Sequence, residues 1–418
     1  MSNSSNTPAL NPLSLAQAML DALRAQRFEL TPDALQGGAP LGQHPSIDLA
    51  VAAFPAGAAP VFANVLFSRE YPRGLVAQID ESAGPVRNIR YLADVQDEQG
   101  NSIAWLPGAD WSAIPWRPLA GPADPALPRF VAPYPASLLK LMILVGLGLL
   151  VDAGRTDWEA RLGQPARALA DWAFDMTALS SNEATTLLVA HLHALGAIRR
   201  EGGREFHNEL HDFFENLGLP TLRLANTRPD GGWGNAAGAG VGQIQMTAWD
   251  TLRLLWWLDP QAPAPPWLNI NNMPCLSDAS RCLILHALRE QGLHEVLSSG
   301  LLAGLPGWVA GIPARLPARW LRHGDGSARV GDRHFPADLL AVNRQAELLF
   351  SHKTGNTLNY SADAGLVLGI PPARRHYLIA MVSNLGNRYA TDARAATNWR
   401  IPALGGAMDA FLRQHLEA

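Results

Sequence analysis

The sequence predicts an α+β fold in which strands come from both ends of the chain and helices fill the middle. Three observations carry that expectation. Short β-like runs cluster between residues 59 and 105 and return after residue 346. The stretch from 137 to 260 is dominated by helical patterns, so a sheet would be assembled from distant segments around a helical middle. Pro- and Gly-rich breaks, "WRPLAGPADPALPRFVAPYP" and "QAPAPP", stand near the two changes of pattern.

Taken in order, residues 1 to about 10 are polar and expected to be disordered. "SLAQAMLDALRAQR" over 14–27 reads as a short amphipathic helix with Ser14 as its cap. The runs "VFANVLF", "LVAQID" and "VRNIRYLADV" read as strands, with a turn at "DEQGN" before "SIAW". The helical middle is interrupted by the loop "DGGWGNAAGAGVG", and a further helix is expected over 278–292. "AELLFSHKTG", "AGLVLGI" and "HYLIAMVSN" restore the strand pattern, and "IPALGGAMDAFLRQHL" closes as an amphipathic helix. The expected division is an N-terminal extension over 1–57, a sheet domain over 58–135 plus 261–418, and a helical domain over 136–260.

Composition excludes several functions. With 418 residues, 48% hydrophobic and 17% charged, the chain fits a soluble globular protein, and a net charge of −4 offers no basic field for nucleic acid. The longest apolar run, Leu141 to Val151, falls short of the about 20 residues that span a bilayer. No basic segment precedes an apolar stretch at the N-terminus, so as written the chain is expected in the cytoplasm. Cys275 and Cys282 suggest neither a disulfide framework nor a metal site and read as reduced thiols. "HNELH" could set His207 and His211 on one helix face, but without a third ligand they read as surface histidines, and no metal or cofactor is expected. Trp256 and Trp257 in "LLWWL" read as core.

The chemistry begins with a count. Of 33 basic residues only two are lysine, Lys140 and Lys353. Wherever only a positive charge is needed this chain uses arginine; lysine differs in that burial can make it a base. Lys140 lies in "YPASLLKLMILVGLGLLV", three residues after Ser137 and so on the same helix face. Apolar neighbours would bury its ammonium, lower its pKa and make a neutral amine available beside a hydroxyl. Lys353 ends a strand-like run in "LLFSHKTGNT", followed by Thr354, Gly355 and Asn356. Between the two lysines, "TALSSNEATTLL" places Ser180 and Asn182 on an otherwise apolar helix.

"SLLK", "SSN" and "KTG", in this order, resemble the Ser-x-x-Lys, Ser-x-Asn and Lys-Thr-Gly motifs of the serine β-lactamase and penicillin-binding protein superfamily. The class A β-lactamases are the more similar branch, since class C enzymes carry a Tyr at the place of Ser180. The resemblance implies an antiparallel sheet of about five strands flanked by helices, with an inserted all-helical domain and the site between them. It implies that Ser137 is the acylated nucleophile and Lys140 its base. Ser180 would pass a proton to the leaving nitrogen, and Asn182 would hold the substrate's amide side chain. Lys353 with Thr354 and Gly355 would bind a substrate carboxylate, and the N–H groups of Ser137 and Asn356 would form an oxyanion hole.

The substrate implied is a small amide, ester or β-lactam bearing a carboxylate. D-alanyl-D-alanine-type peptidase, esterase, acyltransferase and non-turning-over sensor remain open as alternatives. A periplasmic location is the family expectation. Class A enzymes deacylate with a Glu in Arg-x-Glu-x-x-Leu-Asn; here "RPDGGWGN" offers Asp230, one methylene shorter and with one residue more before the Asn. The alternative for Asp230 is a plain turn residue. The stretch between "IPARLPARW" and "HKTG" reads as an insertion.

Overall fold

The computed structural model describes residues 9–99, 102–106, 108–268 and 276–417. Residues 1–8 of the expected disordered start, two of the five residues of the "DEQGN" turn and Cys275 lie outside these residues. The main elements, in chain order, begin with helix α1 (Pro12–Ala25) and strands β1 (Ile47–Ala53), β2 (Val61–Phe67) and β3 (Leu75–Val76). Strands β4 (Arg90–Ala93), β5 (Arg117–Ala120) and β6 (Arg129–Ala132) follow. The helical middle holds α2 (Lys140–Asp152), α3 (Leu169–Ala178), α4 (Asn182–Ala194), α5 (Glu209–Asn216) and α6 (Ala248–Leu258), and α7 (Asp278–Arg289) comes next. Strands β7 (Leu348–Asn356), β8 (Ser361–Gly369) and β9 (His376–Ser383) and helix α8 (Arg400–Leu416) complete the chain.

The α+β expectation holds. One antiparallel sheet of six strands runs in the order β7-β8-β9-β1-β2-β3, one strand more than expected because the two-residue β3 adds an edge. Along each strand the residues alternate between two cores. Leu49, Val51, Val65, Ile379 and Met381 face the core under α1 and α8. Ala50, Ala52, Leu66, Leu378 and Ala380 face the core that contains α2 and α6. A smaller sheet, β5-β4-β6, leads the chain from the main sheet to the helical region.

Two domain boundaries are corrected. β1 lies inside the expected 1–57 extension, yet it pairs with both β9 and β2 at the centre of the sheet. Its seven residues are buried on both faces, so it lacks the half-polar alternation that marks an exposed strand. Helix α6, expected in the helical domain, packs on β9 and β1 and belongs with the sheet. The cap of α1 is also corrected. Asn11 caps the helix, Pro12 opens it, and Ser14 closes a capping box back onto the Asn11 N–H.

Helix α2 is buried on nearly every side. Its two glycines allow that: a Cβ at Gly146 would lie 2.8 Å from Leu210 of α5, and one at Gly148 would lie 3.0 Å from Ile284 of α7. A helix apolar all round is a core helix, and α2 fixes what stands at its N-terminus.

Candidate active site

Ser137 and Lys140 enter the site through a tight 3-10 turn, Ala136–Leu139, that runs straight into α2. From Val131 to Leu150, Ser137 is the one residue not buried. Ala136 just before it takes φ 49°, a left-handed conformation uncommon for a residue with a Cβ. Such strain persists where surrounding packing enforces it, and it sets the direction in which the next side chain leaves the turn. Packing comes from β7. A Cβ on Gly355 would lie 2.4 Å from Pro135 O and 2.8 Å from the amide nitrogens of both Ser137 and Leu138. Only glycine lets this strand lie so close to the turn.

Ser180 sits between α3 and α4, also left-handed at φ 58°, and Ser181 caps α4 by accepting from the Ala184 N–H. This geometry turns both the carbonyl and the hydroxyl of Ser180 toward Lys140. Lys140 Nζ donates to Ser180 O at 2.6 Å and to Asn182 Oδ1 at 2.9 Å, and lies 3.2 Å from Ser180 Oγ. From the opposite side Lys353 Nζ donates to Ser180 Oγ at 3.0 Å and to Thr354 O at 2.6 Å. Four of the expected residues, Lys140, Ser180, Asn182 and Lys353, thus form one hydrogen-bonded network, with Ser137 and Gly355 packed beside it. Among the described residues Ser137 Oγ itself bonds to neither lysine.

Both lysines are 0% exposed. Burial pushes the Lys140 ammonium well below its usual range, and the neighbouring Lys353 charge pushes it further. Lys353 is lowered by burial to about 7, opposed by attraction to Asp363 and Glu295. One proton on the pair therefore resides on Lys353. A neutral Lys140 has two hydrogens and one lone pair; with the two carbonyl-type acceptors taking the hydrogens, the lone pair is left to accept a hydroxyl proton.

Beneath Lys353 lies a buried group that the motifs do not announce. His352 Nδ1 and Asp363 Oδ1 are 2.7 Å apart, and Asp363 Oδ2 accepts from the Leu297 N–H at 3.0 Å. Gly365 opposite leaves room for the His352 ring, since a Cβ there would stand 2.4 Å from that of His352. Glu295 is held by Arg333 through two bonds, of 3.0 and 2.7 Å. The only sequence signal for these groups was His352 adjoining the lysine; Asp363 and Glu295 are distant in sequence and join it through the fold.

Asp230 is not part of this network. It is exposed, paired with Arg228 at 2.8 Å, and accepts from the Gly232 N–H at 2.9 Å, as a turn aspartate does. The glycine beside it brings the loop to α4 rather than to Ser137, because a Cβ on Gly231 would lie 2.0 Å from Thr186 O. Asp230 consequently borders a groove with Trp172, Glu183 and Leu187 on the outer side of α4. The loop instead offers Lys140 an indole: its Nζ stands 5.8 Å from the Trp233 ring centroid.

The histidine pair is corrected as well. His207 ends a strand while His211 lies in α5, so they do not share a helix face. His211 is no surface residue; it accepts from the Leu224 N–H at 3.0 Å, and burial lowers its pKa to about 4. Among the described residues no group of three or more His, Cys, Asp and Glu could hold a metal ion. Nor is any described helix long and apolar enough to cross a membrane. Trp256 and Trp257 are core, and Cys282 is a free, exposed thiol.

No protein-family model matches the chain, and no curated protein does. Among solved structures it is similar to PBP-A, at 15% identity over 98% of this chain and 98% of that one, with a TM-score of 0.46. It is similar to a β-lactamase from Sphaerobacter thermophilus at 12% identity, over 96% and 98% of the two chains, with a TM-score of 0.45. It is also similar to TLA-1 extended-spectrum β-lactamase at 10% identity, over 97% and 100% of the two chains, with a TM-score of 0.45. The likenesses are distant, and the chemistry proposed below follows from this chain's own side chains.

Proposed function

We propose that this chain is a serine hydrolase or acyltransferase that forms an acyl-enzyme on Ser137 with a small amide, ester or β-lactam. One observation supports the reading above the others: the chain's two lysines, both wholly buried, converge on the hydroxyl of Ser180, and one of them, Lys140, stands one turn after Ser137. A fold does not bury both of its lysines at one point for solubility, since each buried ammonium costs several kcal/mol on the order-of-magnitude scale of ion desolvation.

In the proposed reaction Ser137 Oγ attacks the carbonyl carbon and its proton passes to neutral Lys140. Contact between the two tightens as substrate fills the site, as catalytic hydrogen bonds do in Michaelis complexes. The N–H groups of Ser137 and Asn356 receive the developing oxyanion. The proton moves through Ser180 to the leaving nitrogen or oxygen as the scissile bond breaks, leaving the acyl group on Ser137. Lys353, lowered to about 7 by burial against the attraction of Asp363 and Glu295, supports that relay in its protonated form and, with Thr354, attracts a substrate carboxylate. Asn182 holds the substrate's amide group beside the scissile carbonyl.

A second reading has its own support. Asp230 is turned out to solvent and Trp233 stands over Lys140, so the acid that the motif suggested is not placed to activate a deacylating water. The acyl-enzyme would then be long-lived, as in a sensor, or be resolved by an acceptor other than water.

Intact-mass spectrometry after incubation with penicillin G and with p-nitrophenyl acetate tests both. An adduct on the wild type that Ser137→Ala lacks is the expected result, and its persistence separates the two readings. No adduct and no turnover with either compound would sink the acyl-enzyme.

A further inference from the structure

The stretch that read as an insertion before the Lys-Thr-Gly motif builds a cavity. It folds into a hairpin, Ala328–Val330 with Arg333–Phe335, carried on its own small core of Leu293, Leu316, Val330 and Leu339. Between the hairpin, the turn at Leu301–Leu305 and the loop at Ala393–Arg394 lies a cavity of about 570 Å³. That volume suits a small-molecule site. Its floor is apolar, from Leu301, Leu305, Phe335 and Ala337, and among the described residues no acidic side chain lines it.

Two guanidinium groups stand in its wall, each paired with a carboxylate. Arg333 spends both Nη atoms on Glu295, and Arg394 spends Nε and one Nη on Asp392. Each keeps N–H groups for a ligand on its exposed side, the Arg333 and Arg394 side chains being 45% and 63% exposed.

The cavity is tied to the Ser137 centre on both flanks. At the hairpin's turn, Gly331 stands against Leu179, the residue before Ser180. On the other flank, Asn356 Nδ2 donates to Ala396 O, which holds the loop carrying Arg394 against the end of β7. Glu295, which holds Arg333, also attracts the Lys353 charge.

We propose that this cavity is the subsite for the acyl arm of the substrate, taking an unbranched aliphatic chain that ends in a carboxylate held at Arg394. The inference rests on Ser137 as the acylated group. It restricts the substrates to amphiphilic acyl compounds, and it explains why an insertion with a core of its own stands beside the Lys-Thr-Gly strand.

The test separates binding from chemistry. Octanoate, butyrate and octan-1-ol are titrated by calorimetry into Ser137→Ala, which cannot be acylated at that position. Octanoate is expected to bind, and affinity to fall about fourfold for each methylene removed, the usual worth of a buried CH₂. Ala337→Trp and Ala393→Trp, at positions open enough to accept a larger side chain, should each weaken octanoate and octanol at least tenfold. Arg394→Ala should weaken octanoate alone. Octanoate binding that is absent, or unchanged in both tryptophan variants, overturns the subsite.

Wild-type acylation by p-nitrophenyl octanoate against the acetate then links cavity and nucleophile, with a chain-length preference that Ala337→Trp abolishes. If octanoate binds in the cavity but no ester acylates Ser137, the acyl-enzyme reading has failed, and the subsite assignment with it. If both esters acylate Ser137 without preference, the subsite alone has failed.

Discussion

The mutual repulsion of the two lysines can be measured. In Lys353→Met the side chain keeps its length and loses its charge. Both Nζ atoms lie within hydrogen-bonding reach of Ser180 Oγ, at 3.2 and 3.0 Å, and so no more than about 6 Å apart. At an effective dielectric near 20, two charges at that distance repel by about 3 kcal/mol, or about two pKa units. Lys140 must be neutral to act as a base, so acylation rises with pH through its pKa. Removing the Lys353 charge raises that pKa and should move the acidic limb of the profile upward by about two units.

The assay is the p-nitrophenolate burst from p-nitrophenyl acetate, measured by stopped flow between pH 4 and 10. A neutral ester is chosen because it needs no carboxylate anchor, so weakened binding does not distort the limb. The rate itself will fall through loss of the Ser180 contact; the position of the limb is what counts. A limb that stays in place or moves to lower pH would refute the reasoning that Lys353 holds Lys140 neutral. The same variant carries a stability signature. The folded pKa of Lys353, about 7, lies below its unfolded value near 10.5, so folding penalises the cation. That penalty is absent above the unfolded pKa and grows as pH falls from 10.5 to 7. Lys353→Met should therefore raise Tm more at pH 7 than at pH 10, and a gain independent of pH would count against burial as its cause.

Two further outcomes follow from the geometry. Gly355→Ala drives a Cβ into the backbone of Pro135, Ser137 and Leu138. It should cost about 1–3 kcal/mol in chemical denaturation and slow acylation about a hundredfold. Wild-type rates would show that the strand does not position Ser137. In the loop, Asp230→Asn should leave the lifetime of the acyl-enzyme unchanged in time-resolved intact mass. Trp233→Glu, which brings a carboxylate toward Lys140, should shorten it about a hundredfold. The opposite pattern would return Asp230 to the role of base.

What could be read from the sequence was the chemistry with a fixed local spacing. Ser137 and Lys140 share one turn, Lys353 and Gly355 share one strand end, and the scarcity of lysine drew attention to both. The buried acidic residues beneath Lys353 could not be read, because Asp363 and Glu295 reach it only after β8 and the segment following α7 pack against β7. β1 escaped because a strand buried on both faces shows no alternation, and α6 because an apolar helix does not say which neighbour it covers. Asp230 stood at the right place in a motif, but Gly231 sends its loop against Thr186, a contact visible only in three dimensions.

The position of β1 has a consequence for how the protein is made. β1 and β2 leave the ribosome early as a hairpin, and the edge of β1 that will receive β9 stays open until residues 376–383 are synthesised. At 5–20 residues per second, the intervening stretch of roughly 320 residues takes about 15–60 seconds to appear. Throughout that interval a buried-type strand with an unpaired apolar edge is exposed, a template for pairing with other chains. A slower ribosome lengthens that interval, and shielding of β1 until β9 arrives should raise the yield of folded chain.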